Sequence, residues 1–470
     1  MLEDNLELDP FDFVSGFEAI KAENDSEKKQ KMLDDLNGLM RNFQENYLMT
    51  ARVFAQWGAY EDAVLVLKQC TKKYPMLYYY AAYYEEKMGE DEAAKKSLEK
   101  AEGCVSDYCF PNKLDDIAVL TFAIENGCKK KAPYYLGNLF YDKLQWKKSV
   151  ELWEMSEKAD DTFSIVHRNL ALAYYNKMGD SKAAKRELEK AFSLNRKDAR
   201  IFLELDQLYK KLGYSFKERL AKYDEDPSLA ESRDDLYIEY ITLMNMCGEY
   251  ERAYRCIMGR RFHLWEGGEG KITTQYTISL LEMAKQCLAS EKYEQAEKLL
   301  KKALVYPENL GEGKLEGTKD NHLYYHLGLA LEAQGKHDEA KTCFETATIG
   351  TDEPAGAMYY NDQPADMILY QGLAFEKLGK TREAKSRFYR LIDYGEQHLN
   401  DEGKIEYFAV SLPDFLIFDE DYTKKNRAHC CYLMALGNIG LQNREKAAEF
   451  LKEALEIEPS HMMATLYQKQ

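Results

Sequence analysis

Long apolar runs are missing from this 470-residue chain. A helix needs about 20 mostly apolar residues to cross a bilayer, so no membrane span is expected. No basic, apolar, small-residue signal opens the sequence, and the expectation is a cytoplasmic protein. Cysteine pairing motifs are also missing. The ten cysteines are scattered and none forms C-x-x-C, usage that suits a reducing compartment where a thiol packs as a small hydrophobe. Positive charge is in deficit, with 64 basic against 81 acidic side chains and a net charge of −17. A surface that acidic repels phosphate backbones and anionic lipid, so neither nucleic acid nor membrane is an expected partner.

Reaction motifs are absent as well. The two Gly-Glu-Gly-Lys stretches, Gly268–Lys271 and Gly311–Lys314, are followed by Ile272 and Leu315, where a P-loop needs Ser or Thr. No nucleophile elbow surrounds Ser411 and no Cys-His signature surrounds any cysteine. His322 and His326 share a helix face, as zinc ligands can, but no third ligand has recognisable spacing. No catalytic residue, metal or cofactor is expected, and the chain reads as a non-enzyme.

What is present is repetition. Small and large residues recur at fixed offsets, as in Tyr324, Leu327, Gly328, Leu331, Gly335, Ala340, Phe344 and Ala347. The series Gly372, Phe375, Gly379, Ala384, Phe388 follows the same phase, and so does Tyr47, Phe54, Gly58, Tyr60, Ala63, Leu67. Weaker copies include Gly137 with Trp153, Ala171 to Ala191, Gly248 to Ile257, and Phe202 to Tyr223, where Glu218 stands in place of a second-helix alanine. This is the pattern of the tetratricopeptide repeat, a hairpin of two helices about 34 residues long. The predicted fold is all-α: a right-handed α-solenoid of about ten such hairpins, grown by stacking within one domain. Residues 1–46 read as a truncated, degenerate first unit, 47–259 as plain units, and 260–470 as units with long inserted loops. Leu6-Glu7-Leu8-Asp9-Pro10 looks like the tail of a unit whose first helix is missing, which suggests a chain cut from a longer protein at a repeat boundary.

The insertions are where function is expected, because long loops on a rigid scaffold carry binding residues. They offer Trp265, Tyr359, Tyr360 and Tyr407 beside Glu266, Asn309, Asp362 and Asp414. Flat rings next to carboxylates and amides suit a sugar or a peptide, and also suit loops that fold back to cap the repeats. Pro364 fits the first turn of a following helix, with Asp362 or Gln363 near its cap. Arg168-Asn169 is a fragment of the pattern that clamps a C-terminal carboxylate, without matching basic residues in the next repeat.

The loop sequences FHLWEGGEGK, YPENLGEGKL, MYYNDQPADM and EYFAVSLPDFLIFD resemble the C-terminal repeat region of large bacterial proteins. In those, a domain similar to galactose mutarotases, of uncharacterised function, precedes the repeat array. The resemblance spans about residues 160 to 470. It implies a link to carbohydrate handling and no assigned catalytic set. The leading expectation is a non-catalytic scaffold that binds a protein partner or that N-terminal domain. The alternative is an accessory carbohydrate-binding module.

Overall fold

A computed structural model describes residues 2–263, 265, 267–354, 363–403 and 417–469. Among the described residues every regular element is helical. The chain divides into two compact units, residues 1–194 and 195–470. Each is an α-solenoid of antiparallel helix pairs.

In the first unit the pairs are Phe13–Ala22 with Ser26–Met40, Gln44–Gln56 with Tyr60–Gln69, Pro75–Lys87 with Asp91–Gly103, Lys131–Asp142 with Trp146–Ala159, and Ser164–Ala173 with Ser181–Leu194. A short helix, Leu2–Leu8, precedes them, and an inserted helix, Leu114–Glu125, follows the third pair. In the second unit the pairs are Ala199–Lys211 with Phe216–Glu225, Asp234–Cys247 with Tyr250–Met258, Lys271–Ala289 with Tyr293–Ala303, Asn321–Ala333 with His337–Ala347, Met367–Lys377 with Thr381–His398, and Tyr422–Gly440 with Arg444–Ile457. A last short helix, Met462–Gln468, ends the unit.

One packing pair recurs. A small residue of the first helix lies under a large side chain sixteen positions later, on the second. A Cβ added at Gly328 would stand 2.5 Å from the Phe344 ring, at Gly372 2.2 Å from Phe388, and at Gly137 2.4 Å from Trp153. The helices touch because no Cβ keeps them apart. The turn after the first helix needs a left-handed residue, which Gly58, Gly89, Gly335 and Gly379 supply at φ near +75° to +80°.

Two hairpins depart from this pattern. Asp206 takes the small-residue place seven positions before Gly213 and receives two bonds from the buried Arg219, at 2.8 and 2.6 Å, and one from Tyr223 at 3.0 Å. Arg219 also donates to Glu239 at 2.6 Å, so an ion network replaces the apolar pair. Glu218 beside it closes a capping box with Ser215, which explains the missing alanine. In the other departure, Ala171 lies eight residues from its turn glycine, Gly179, against seven between Ala51 and Gly58 and seven between Gly372 and Gly379. The extra residue is absorbed by a π-helical stretch, Tyr174–Met178.

Pro364 falls outside the expected helix turn. The helix begins at Met367, whose amide bonds the Pro364 carbonyl at 3.0 Å, because Pro364-Ala365-Asp366 forms a lead-in turn.

Gly372→Ala places a methyl inside the Phe388 ring and is expected to cost about 1–3 kcal/mol. The measurement is the urea midpoint, with the slope of the transition unchanged.

Candidate functional site

The first two inserted loops form one clasp. The Asn309 side-chain nitrogen donates to the carbonyls of Ile257 at 2.8 Å and Arg260 at 2.9 Å, and its own carbonyl accepts from Phe262 N at 2.8 Å. The Glu312 carboxylate accepts from Gly270 N at 3.0 Å, just ahead of the helix Lys271–Ala289, where a negative charge also complements the helix dipole. Gly311, at φ +71°, sits where a Cβ would be 2.4 Å from the Phe262 carbonyl oxygen. Lys314 completes the clasp by bonding the Leu304 carbonyl at 2.9 Å and the Asp320 carboxylate at 2.5 Å. The paired Gly-Glu-Gly-Lys stretches thus act on neighbouring loops: one supplies the helix entry, the other its acidic cap.

Trp265 lies over Gly268, whose added Cβ would be 2.5 Å from the indole, with Lys271 Nζ 5.8 Å from the ring centre. The structure therefore places Trp265 and Asn309 in adjoining loops with backbone and cation contacts. Glu266, Tyr359, Tyr360, Asp362, Tyr407 and Asp414 lie outside the described residues.

Sequence reading missed the feature that fills the inner side of the second unit. The terminal helix Met462–Gln468 packs across the first helices of four hairpins. Leu466 joins Met246 and Ile278 in one apolar cluster, and Gln275 donates to the Met462 sulfur at 3.8 Å. The Tyr467 hydroxyl meets that of Tyr370 at 2.6 Å, and its ring centre is 6.0 Å from that of Tyr432. Lys469 donates to the Met246 carbonyl. His461 starts the helix by accepting from Ala464 N at 3.1 Å.

Histidines line this packed interior. His326 donates through Nδ1 to the His322 carbonyl at 2.7 Å, which removes that nitrogen from any ligand set. Burial, neighbouring histidine and Lys285 pull His322 down to about 3; burial and Lys285 do the same for His326. Burial pulls His429 and His461 to about 4.

The first unit presents a polar ladder on its first helices. Asn138 Oδ1 accepts from Trp153 Nε1 and from Asn169 Nδ2, each at 3.1 Å, and Arg168 donates to Asn169 Oδ1 at 3.2 Å. All three polar residues are half-buried. At the first hairpin an apolar hollow of about 700 Å³ is lined by Phe11, Phe13, Leu39, Arg41, Phe43, Asn46 and Lys72. Phe11 is 56% exposed and Phe43 46%, a contiguous apolar surface of the kind that marks an interaction site.

Comparison with known proteins agrees with the repeat reading. Tetratricopeptide repeat family models match residues 169–198, 322–348 and 428–461, and a related one matches 366–394. Among solved structures, a tetratricopeptide repeat protein from Parabacteroides merdae is 17% identical, with 61% of this chain and 98% of that one covered, at a TM-score of 0.26. YrrB, described as a TPR protein with an unusual peptide-binding site, is 18% identical over 55% of this chain and all of its own, at 0.20. The P58(IPK) TPR domain is 13% identical, with 91% and 99% covered, at 0.23. Scores this low establish no shared arrangement of the hairpins. The fold and the repeat matches define a tetratricopeptide-type α-solenoid, a repeat architecture suited to holding other protein segments. No described helix is long and apolar enough to cross a membrane.

Two outcomes are expected here. Asn309→Ala strips the Ile257 and Arg260 carbonyls of their shared donor and should cost about 1–3 kcal/mol. Amide hydrogen exchange localises the loss to residues 257–263 and 307–314 if the clasp is as described. Stability should also fall as pH drops below about 6.5, because the unfolded chain then binds protons that buried His322, His326, His429 and His461 refuse. Asp366, raised by burial to about 6, works the other way, as do the raised groups His167, Glu157, Glu312 and Asp320, so the contribution of the four histidines is read from the variant. Denaturant midpoints from pH 7.5 to 4.5 should decline less steeply in His326→Gln than in the parent.

Proposed function

We propose that the protein is a non-catalytic scaffold that holds protein segments against the first-helix faces of its repeats. The observation behind this reading is the seat of the terminal helix. Four hairpins of the second unit contact a seven-residue helix of the chain itself through Met462, Leu466 and Tyr467. A surface that binds one amphipathic segment in this way is built for helix-in-groove recognition.

In the first unit, Asn138, Arg168 and Asn169 supply the chemistry for a peptide backbone. Asn169 keeps a second amide hydrogen and a second lone pair on Oδ1, able to meet the C=O and N–H of an extended segment. The apolar hollow around Phe11 and Phe43 suits a second contact, with a protein partner or with a neighbouring domain such as the mutarotase-like one. The loop residues Trp265, Glu266, Asn309, Tyr359, Tyr360, Tyr407, Asp362 and Asp414 are the set on which the alternative, an accessory carbohydrate-binding module, depends.

Peptides selected from a random library on the intact chain decide between these readings. Under the scaffold reading, Asn138→Ala and Asn169→Ala each weaken the selected peptides at least tenfold, about 1.4 kcal/mol, while Trp265→Ala leaves them unchanged. Peptides indifferent to both asparagines would reject the first-helix face as the binding surface. A melting-temperature rise with one class of oligosaccharide, lost in Trp265→Ala, would favour the carbohydrate reading instead.

A further inference from the structure

Glu157, His167 and Glu187 each offer a ligand atom, and the three atoms lie within 4.8 Å of one another. They come from three consecutive helices of the first unit, Trp146–Ala159, Ser164–Ala173 and Ser181–Leu194. His167 is 2% exposed and Glu187 4%, while Glu157 is half-buried. His167 stands four residues before Ala171, the place that Tyr47 holds before Ala51, Tyr78 before Ala82 and Tyr324 before Gly328. This hairpin has therefore given a large-residue core position to an imidazole that faces two carboxylates. Departures of this kind from a locally consistent pattern gather at functional or strained sites. The same hairpin carries the π-helical stretch Tyr174–Met178, a distortion frequent near such sites.

The hydrogen bonds fix the electron pairs. His167 Nε2 lies 2.9 Å from the Asp161 carbonyl oxygen, which can only accept, so Nε2 carries the hydrogen. In the neutral ring Nδ1 then holds a lone pair. It points at Glu187 Oε2, 2.8 Å away, with Glu157 Oε1 at 3.7 Å. Three electron-pair donors converge, and something positive belongs between them. A tetrahedral ion with bonds of about 2.0–2.2 Å sets its ligands about 3.3–3.6 Å apart, between the two separations from Nδ1, and the third pair lies within 4.8 Å. The outer bonds match as well. The Asp161 carbonyl orients the imidazole, and Arg186 Nε holds the other oxygen of Glu187 at 2.9 Å, the two kinds of support that metal ligands receive.

We propose that Glu157, His167 and Glu187 form a binding site for a transition-metal dication of the zinc class. One imidazole and two carboxylates neutralise the dication, and this mixed set suits zinc among the first-row metals. The fourth position opens to solvent beside Glu157, whose side chain is 31% exposed. Bound there, the ion ties three helices together and offsets the repulsion between the carboxylates. The competing occupant is a proton on Nδ1. Burial lowers His167, but its bonds to Glu187 and the Asp161 carbonyl outweigh this and raise it; Glu157 is raised by burial and by Glu187.

The test is titration of the metal-stripped, full-length chain with Zn²⁺ by calorimetry, with metal counted by mass spectrometry after dialysis. Cobalt substitution reads the ligands: nitrogen and oxygen donors give d–d bands without thiolate charge transfer, which separates this site from the ten cysteines. One equivalent is expected, weakened at least tenfold in Glu157→Gln and abolished in His167→Gln. Because the buried His167 variant can misfold, the half-buried Glu157→Gln variant, checked by circular dichroism, carries the comparison. Zinc bound equally well by a folded Glu157→Gln variant would overturn the proposal. So would no uptake at all together with an imidazolium signal for His167 that persists above neutral pH.

Discussion

Each hairpin depends on one steric fact: a residue without bulk in the first helix lets a ring from the second lie on its backbone. At Gly328, Gly372 and Gly137 the distance an added Cβ would leave, 2.2–2.5 Å, is too short for any other side chain. Phe388 is held from two sides, since a Cβ at Gly440 in the following hairpin would also stand 2.1 Å from its ring. The same ring therefore fixes both the angle within one pair and the approach of the next. Stacking of this kind transmits the repeat along the unit, and it leaves little freedom for polar groups inside.

That constraint is why the fold was legible in the sequence. Gly, Ala and large residues recur at offsets that no single helix explains, and the helix boundaries follow from them. The extra residue between Ala171 and Gly179 was equally countable, and it marks the π-helical stretch. The contacts that build the binding faces were not legible, because their partners are distant in sequence. Asn309 finds its acceptors at Ile257 and Arg260, some fifty positions earlier, and Gln275 meets Met462 across 187. Nothing local in Met462–Gln468 distinguishes a helix that docks from one that merely ends the chain.

The surroundings of the histidines were hidden for a related reason. Spacing singled out His322 and His326, which share a face, yet burial and the His322 carbonyl occupy them. His167 has no histidine neighbour and no motif. Its signal was its position: four residues before a small residue, where three other hairpins keep tyrosine. Comparing a repeat with its siblings exposes that substitution, whereas scanning for ligand spacing passes over it.

The two polar departures inside the repeats differ in charge, and that difference separates architecture from chemistry. Asp206, Arg219 and Glu239 bring two carboxylates to a guanidinium that bonds both, and Tyr223 donates a further hydrogen bond to Asp206. The cation is supplied by the chain, covalently fixed and buried, so the charges are met within the chain even though Arg219 Nη1 is left without a hydrogen-bond partner. Around His167 the chain supplies two carboxylates and an imidazole whose one required hydrogen already goes to a carbonyl. Arg186 reaches only the outer oxygen of Glu187 and leaves the inner one facing Nδ1. Where the first cluster contains its own positive charge, the second leaves two carboxylate oxygens and an imidazole nitrogen facing one another, the place at which the proposed dication competes with a proton.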